Sequence, residues 1–191
     1  MERFSERFVR LVNEQISGIS WTTLFLMVIA AILLVHMAVL IYSRLKETQV
    51  GAGKEILWIL LAAYACFLFQ ITFFNREDGS RQGIFTDISW WLKSGTFEMS
   101  DQMVYDLLNI FLFVPWGFLL ALLRGRERAL RKLLLVLCYC FLSSFSIECT
   151  QLLTHRGYFE LMDILTNVAG GILGAVVGTL FMSGGRRGNK E

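Results

Sequence analysis

Five long runs of apolar residues constrain this chain more than any other feature. They cover about 21–42, 56–74, 107–123, 133–153 and 164–182. A helix needs about 20 apolar residues to cross the hydrocarbon core of a bilayer, and only helices and closed barrels can span one. Barrel strands would show alternating polar and apolar residues, which these runs do not. The sequence therefore predicts an all-α membrane bundle of about five transmembrane helices.

The composition supports a membrane protein without a soluble domain. Hydrophobic residues make up 55% of the chain, charged residues only 18%, and the mean hydropathy is +0.55. This balance excludes an ordinary soluble enzyme. We expect one transmembrane domain over residues 21–182, preceded by a segment at 1–20 and followed by a short basic tail at 183–191.

Charged and apolar residues recur at near-helical spacing in the first 20 positions. The apolar set is Phe4, Phe8, Leu11 and Ile16, and the polar face carries Arg3, Arg7, Arg10 and Glu14. The pattern predicts an amphipathic helix that lies in the membrane interface. A frayed charged tail is the alternative. No small-residue cleavage site follows the first apolar run, so we do not expect a signal peptide.

The distribution of Lys and Arg predicts the orientation. A dense basic cluster follows the third apolar run, comprising Arg124, Arg126, Arg128, Arg131 and Lys132, and the tail adds Arg186, Arg187 and Lys190. Cytoplasmic loops carry an excess of such residues. We therefore expect a cytoplasmic C-terminus and, with five spans, an external N-terminus.

Ionisable and amide side chains interrupt the last three apolar runs and the hairpin between the last two. They are Asn109, Glu148, Gln151, Arg156, Asp163 and Asn167. Such groups are costly in lipid and normally face a bundle interior or a water-filled cavity. Ser144, Glu148 and Gln151 are four and three positions apart, which puts them on one helix face. With the expected topology, the sequence predicts a polar ligand-binding site that opens to the outer surface of the membrane.

Three glycines at intervals of four positions follow Asn167. They are Gly170, Gly174 and Gly178. A stripe of this kind lets a neighbouring backbone approach closely. Because Asp163 and Asn167 continue the stripe, we expect them to face the same partner helix. Self-association of two copies through the stripe is the alternative use.

Pro115 lies within the third apolar run. It removes an amide donor and crowds the carbonyl of Phe111, so we expect the helix to kink there. The freed carbonyl either serves a site or is satisfied by a neighbour, and the structural interpretation is favoured. We assign Pro115 and the nearby Gly117 to helix packing.

Two interpretations of Glu148 stay open. In one it is a proton acceptor or a ligand-binding carboxylate, with Arg156 as a counter-charge and Gln151 as an orienting amide. In the other, Arg156 forms a fixed pair with Glu148 or Asp163 that locks the hairpin. We expect no cofactor and no metal ion, because the two histidines lack ligand spacing and the oxygens are not clustered enough for a hard cation.

The connection at 75–105 is the only long polar one in the chain. It contains the adjacent pair Trp90 and Trp91 in a mixed segment. Such a pair is typical of an anchor at the level of the lipid headgroups. A lid over the polar site is the less favoured alternative. No nucleic-acid motif is present, and the basic cluster is explained by topology and by anionic headgroups.

The polar and glycine positions carry a family pattern. Asn109-Ile-Phe-Leu-Phe-Val-Pro115-Trp-Gly117, then Glu148-Cys-Thr-Gln151, Arg156 and Asp163-Ile-Leu-Thr-Asn167-Val-Ala-Gly170-Gly-Ile-Leu-Gly174 resemble the VanZ-like family of bacterial membrane proteins. The resemblance covers residues 106–178, about the C-terminal half. It implies a protein of the bacterial cytoplasmic membrane whose best-known relative confers low-level resistance to the lipoglycopeptide antibiotic teicoplanin. It implies no established catalytic activity.

Two classes of function follow. The favoured one is a cell-envelope protein that binds membrane lipids, a lipid-linked cell-wall precursor or a lipoglycopeptide in the outward-facing polar groove, where Arg156 meets an anionic group. The alternative is a small intramembrane enzyme that modifies a lipid or polyprenyl-linked precursor, with Glu148 as general base. A proton-coupled transporter fits less well, because no internal repeat is visible.

Overall fold

The chain folds as a helical bundle, seen in a computed structural model that describes residues 4–74, 83–86, 101–125 and 127–184. The helices are α1 (Phe4–Ser17), α2 (Trp21–Lys46), α3 (Ala52–Phe69), α4 (Asp101–Leu123), α5 (Ala129–Leu153) and α6 (Leu161–Gly184), and a π-helix, Gln70–Phe74, continues α3. The helices α2 to α6 are long and apolar enough to cross a membrane. The predicted all-α bundle is confirmed, and the protein is a multi-pass membrane protein.

Four predicted spans lie within single α-helices, and the second, 56–74, covers α3 and the π-helix that continues it. The helices begin at or before the predicted starts. The third span starts at Asp101, although the apolar run begins only at Leu107. Polar residues open this helix because its first turns pack against other parts of the protein. In these turns, Val104 and Asp106 are buried.

α1 forms where the apolar spacing predicts it. Its Leu11 side chain is only 1% exposed. On its charged face, Arg7 Nε and Arg10 Nη2 lie 3.4 and 3.7 Å from Asp101 Oδ1, at the start of α4. Because Asp101 is half exposed, these ion pairs are expected to contribute little to stability. They do place α1 at the end of the bundle where α4 begins.

The centre of the bundle is apolar. Its buried residues come from α3, α4, α5 and α6, and they are Leu61, Leu68, Phe113, Leu120, Ala121, Val136, Cys140 and Ala175. By contrast, α2 buries no residue and packs against α3 at the periphery. Its side chains therefore have lipid as their main neighbour.

Glycines bring the backbones of α4 and α6 into contact. A Cβ atom on Gly170 would collide with the carbonyl of Ile110, and one on Gly174 with the carbonyl of Val114. A Cβ atom on Gly178 would meet the Phe118 carbonyl oxygen at 3.1 Å. The glycine stripe therefore lies against α4 of the same chain. This contact covers the face through which two copies would otherwise associate.

The contact is two-sided, because α4 contributes a glycine of its own. A Cβ atom on Gly117 would collide with the backbone of Gly171. Gly117 follows Pro115, which lies inside α4. Beside this stretch, the hydroxyl of Tyr64 donates a 2.6 Å hydrogen bond to the carbonyl of Leu112. That carbonyl is next to the one that Pro115 leaves without its intrahelical donor.

Two short strands join the long connection to the last hairpin. β1 (Ile84–Phe85) pairs in parallel with β2 (Phe159–Glu160), and the Phe159 N–H donates to the Gly83 carbonyl at 2.9 Å. Part of the 75–105 connection therefore rests on the hairpin between α5 and α6. Trp90 and Trp91, on which the anchor and lid interpretations depend, lie outside the described residues. So do Arg126 and the basic tail from 185 onward.

Candidate functional site

Buried polar side chains gather at one end of the bundle. Six of them, each exposed by 4% or less, form the polar cluster: Gln70, Asp106, Ser144, Glu148, Gln151 and Asn167. Thr166 is equally buried at this end, but its hydroxyl bonds to carbonyls of its own helix, so we do not count it in the cluster. The six residues come from the π-helix, the first turns of α4, the last turns of α5 and the first turns of α6. The hairpin 154–160 and the start of α1 are at the same end. The described members of the basic cluster are at the opposite end, where α4 ends and α5 begins.

Glu148 ties α5 to the beginning of α6. Its Oε2 atom accepts a 2.9 Å hydrogen bond from the backbone N–H of Glu160, the residue immediately before α6. The first N–H groups of a helix have no partner within it, and negative charge is favourable there. The side chain of Glu160 in turn accepts from Gln102 Nε2 at 3.1 Å. The contact of Glu148 is one that positions the hairpin.

Gln151 joins α5 to the π-helix. Its Nε2 atom donates a 2.8 Å hydrogen bond to the carbonyl of Thr72, and the side chain is 2% exposed. Because a carbonyl only accepts, the nitrogen of the amide must be the atom that faces Thr72. The Oε1 atom is then left over, and it has no hydrogen-bond partner among the residues that the structure describes. Single π-turns of this kind are frequent at functional sites.

Asn167 joins α6 to α5. Its Nδ2 atom lies 2.9 Å from Ser144 Oγ, and both side chains are buried. Its Oδ1 atom has no hydrogen-bond partner within the described part of the chain. We expected Asn167 to face the partner helix of the glycine stripe. The stripe contacts α4, whereas the amide bonds to α5, because the longer side chain reaches the second neighbouring helix.

The remaining predicted residues border this cluster. Arg156 is half-buried in the hairpin, with its guanidinium carbon 4.6 Å from the centre of the Phe73 ring. Asp163 is half-buried in the first turn of α6. Asn109 is half-buried and shares a face of α4 with Asp106, three positions before it. The structure thus brings Glu148, Gln151 and Asn167 into the buried cluster and leaves the other three at its edge.

Sequence reasoning missed two members of the cluster. Gln70 is 1% exposed, and neither polar atom of its amide has a hydrogen-bond partner in the described residues. Asp106 is also 1% exposed, although it is a charged residue that precedes the apolar run at 107–123. One signal could have found Asp106, namely its position one helical turn before Asn109. Gln70 carried no such signal, because the π-helix that contains it is not visible in the hydropathy pattern.

The cluster consists mainly of oxygen acceptors. Among the described residues, no three His, Cys, Asp or Glu side chains come together as ligands of a metal ion. The carboxylates and amide oxygens suit a ligand that presents N–H or O–H donors. In the part of the chain that the structure describes, Arg156 is the cation in the hairpin beside the cluster, and its donors suit a carboxylate or a phosphate.

Comparison with known families decides which class of membrane protein this is. A family model described as VanZ/LLP1 matches residues 22–182. The chain belongs to the VanZ/LLP1 family. The match includes the first two spans, in which we recognised no family motif. As a VanZ-like protein, it is a membrane protein of the cell envelope. Comparisons with curated proteins and with solved structures give no match.

Proposed function

We propose that this protein binds a lipid-linked envelope component at the polar end of the bundle, which is the end that holds the buried polar cluster. The ligand would be an amphiphile with an anionic group, such as a lipid-linked cell-wall precursor or a lipoglycopeptide. Low-level resistance of the teicoplanin type would then follow from altered access of the antibiotic to its target. The protein would act by binding and not by catalysis.

The buried polar cluster is the observation that carries this proposal. Polar groups inside a membrane are costly and usually mark a path or a site for a ligand. Here they come from the π-helix, α4, α5 and α6 but concentrate at one end, while the centre of the bundle is apolar. A purely structural role would not require several buried amide atoms to lack hydrogen-bond partners among the described residues.

Arg156 supports an anionic ligand group. It lies in the hairpin at the polar end and is half-buried, with its guanidinium carbon over the Phe73 ring, 4.6 Å from the ring centre. The planar guanidinium carries several N–H donors in a fixed arrangement, and their geometry suits a phosphate or a carboxylate. The position is next to Gln151, whose carbonyl accepts the backbone N–H of Arg156 at 3.0 Å.

We propose that the polar end faces outward in the cytoplasmic membrane of a bacterium. The support is the basic cluster at the opposite end of the bundle, since cytoplasmic loops are enriched in Lys and Arg. Single cysteines at Ser17 and Arg128, in a variant whose native cysteines are replaced, test this in intact cells. A membrane-impermeant thiol reagent is expected to label the first and not the second. Labelling of Arg128→Cys alone would show that the protein has the opposite orientation in the membrane.

Binding is tested with the purified full-length protein and Arg156→Gln. Native mass spectrometry measures the affinity for phosphatidic acid, the simplest anionic phospholipid, against a neutral diacylglycerol with the same acyl chains. Loss of a charge-assisted hydrogen bond corresponds to about 1.5–3 kcal/mol, and each 1.4 kcal/mol to about tenfold in affinity. We therefore expect phosphatidic acid to bind at least tenfold more weakly to Arg156→Gln. The matched control is Arg131→Gln, at the opposite end.

Two results would contradict the proposal. One is equal binding of phosphatidic acid and diacylglycerol to the unaltered protein, because the anionic group would then contribute nothing. The other is a loss of binding in Arg131→Gln that equals the loss in Arg156→Gln. In that case the lipid would be held at the basic end.

A further inference from the structure

Acceptor atoms without a partner inside the polar cluster indicate that the ligand must carry a hydrogen-bond donor as well as an anionic group. Gln151 Oε1 and Asn167 Oδ1 belong to side chains exposed by only 2% and 4%. Neither atom has a hydrogen-bond partner among the described residues. Buried polar atoms in proteins are nearly always paired, and those that are not need an explanation such as a bound group. Hydrogen-bond donors supplied by the ligand would satisfy both oxygens.

The chemistry of Gln151 is fixed by its neighbour. Its nitrogen must face the Thr72 carbonyl, as argued above, so the open atom is an oxygen and the missing group is a donor. An anionic group could not take this place. The missing group must carry an N–H or O–H donor, as an ammonium group or a hydroxyl does.

The acceptors extend along one face of α5. Ser144, which holds Asn167, and Gln151 are seven positions apart, and Glu148 lies between them on the same face. At a rise of 1.5 Å per residue, this stretch is about 10 Å long. It is long enough for a headgroup with more than one donor. Arg156 lies at its outer end, beyond Gln151.

We propose that the ligand is a lipid phosphate that carries a donor-rich substituent, an amine or a polyol, and that this substituent hydrogen-bonds to Gln151 and Asn167. The inference rests on the proposed function, in which Arg156 binds the phosphate. It adds that the substituent folds inward between the π-helix, α5 and α6. The discrimination between lipids would then depend on N–H and O–H donors and not on net charge.

A series of phospholipids with identical acyl chains tests this by native mass spectrometry. Phosphatidylethanolamine offers an ammonium donor, phosphatidylglycerol offers hydroxyl donors, and phosphatidylcholine offers none. The N,N-dimethyl derivative of phosphatidylethanolamine keeps an N–H group and is nearly as bulky as phosphatidylcholine, so it separates hydrogen bonding from size. We expect phosphatidylcholine to bind about tenfold more weakly than the better of the two donor lipids, as the loss of hydrogen bonds to buried acceptors requires.

The two donor lipids distinguish the source of the donor. If phosphatidylethanolamine binds most tightly and its dimethyl derivative has an intermediate affinity, the donor of the ligand is an ammonium group. Preference for phosphatidylglycerol over the zwitterionic lipids and over phosphatidic acid, which is anionic but lacks the glycerol hydroxyls, would identify the donor as hydroxyl groups, as in a glycan. Equal affinity of phosphatidylcholine and both donor lipids would overturn the inference, and the buried oxygens would then be completed by water.

Substitutions test whether Gln151 and Asn167 are the residues that distinguish the donor lipids from phosphatidylcholine. Gln151→Met keeps the length of the side chain and removes the open oxygen, so the preference for the donor lipid over phosphatidylcholine should fall to within about twofold. Asn167→Leu gives a second measurement if the first variant does not fold. Thr166→Val is the matched control, because the Thr166 hydroxyl bonds to carbonyls of its own helix. It should keep the full preference. An unchanged preference in Gln151→Met and Asn167→Leu would refute the assignment.

Failure of this inference can be told apart from failure of the proposed function. If all the phospholipids bind equally and Arg156→Gln weakens them all, the phosphate site stands and the donor requirement is wrong. If no phospholipid binds better than diacylglycerol, the proposed function itself fails.

Discussion

Gly174→Ala is the perturbation whose effect the fold predicts most sharply. The added methyl would be placed on the carbonyl of Val114, and it would lie 2.8 Å from the backbone nitrogen of Phe118. Both neighbours are backbone atoms of α4, so no side chain can rotate away. The methyl fits only if α4 and α6 separate.

The magnitude follows from two opposed terms. Overpacking of a tight interior typically costs about 1–3 kcal/mol, and contact with backbone favours the upper end. Ala is a better helix former than Gly by about 1 kcal/mol, which offsets part of this cost. We therefore expect Gly174→Ala to lower the free energy of unfolding by about 2 kcal/mol. A separation of the helices would also disturb Asn167 and the polar cluster above it.

Two other glycines serve as controls. In Gly178→Ala the new methyl would lie 3.1 Å from the Phe118 carbonyl oxygen and 3.2 Å from Ala121 Cβ, so a small shift suffices. The two terms should nearly cancel, with a net change within about 1 kcal/mol. At Gly53 in α3 a Cβ atom would meet nothing within 4 Å. Gly53→Ala is therefore expected to be neutral or slightly stabilising.

Unfolding of the purified protein in mixed micelles, by titration with a denaturing detergent, measures these changes. The 5 tryptophans of the chain provide the fluorescence signal. The expected order of stability is Gly53→Ala, then Gly178→Ala, then Gly174→Ala. The packing argument is refuted if Gly174→Ala is as stable as the unaltered protein, or if Gly178→Ala loses more stability than Gly174→Ala.

Three further substitutions test single contacts in the same unfolding assay. Glu148→Gln keeps an acceptor for the backbone N–H of Glu160, whereas Glu148→Ala leaves that donor unpaired. The alanine variant should therefore be less stable than the glutamine variant by about 1–3 kcal/mol. Equal stabilities would show that the contact does not position the hairpin. Gln70→Leu removes buried amide atoms that have no partner among the described residues, and the ligand-free protein should gain about 1 kcal/mol; a loss would mean that the amide is satisfied. Tyr64→Phe removes the hydrogen bond to the Leu112 carbonyl and should cost about 1 kcal/mol; no change would indicate that another donor takes its place.

The helices could be predicted from the sequence because a bilayer imposes a minimum apolar length. All five spans followed from this requirement, as did α1 from its amphipathic spacing. The ends of the helices were harder to predict from the sequence. Asp101 lies well before the apolar run of α4, since polar residues can continue a helix wherever another part of the protein covers them. The pairing of β1 with β2 had no signal, because two residues per strand are too few for a pattern.

The candidate site could be predicted only in part. Glu148, Gln151 and Asn167 were recognisable because each is polar in a run of apolar residues. Their contacts were not, since the Thr72 carbonyl belongs to a backbone, and the helix-face pattern that includes Ser144 does not show that Asn167 of another helix bonds to it. The π-helix at Gln70–Phe74 depends on tertiary contacts, and hydropathy does not encode it.

Covalent labelling by a photoreactive lipid would show where on the protein a phospholipid headgroup binds. A phosphatidylethanolamine analogue with a photoreactive group close to its phosphate would be incorporated into membranes that contain the full-length protein, irradiated, and its adducts mapped by mass spectrometry of peptides. We expect adducts in the hairpin 154–160, in the first turns of α6 and in the π-helix, and we expect excess unlabelled phosphatidylethanolamine to suppress them. Adducts concentrated on α2, or around the basic cluster at the opposite end of the bundle, would contradict it.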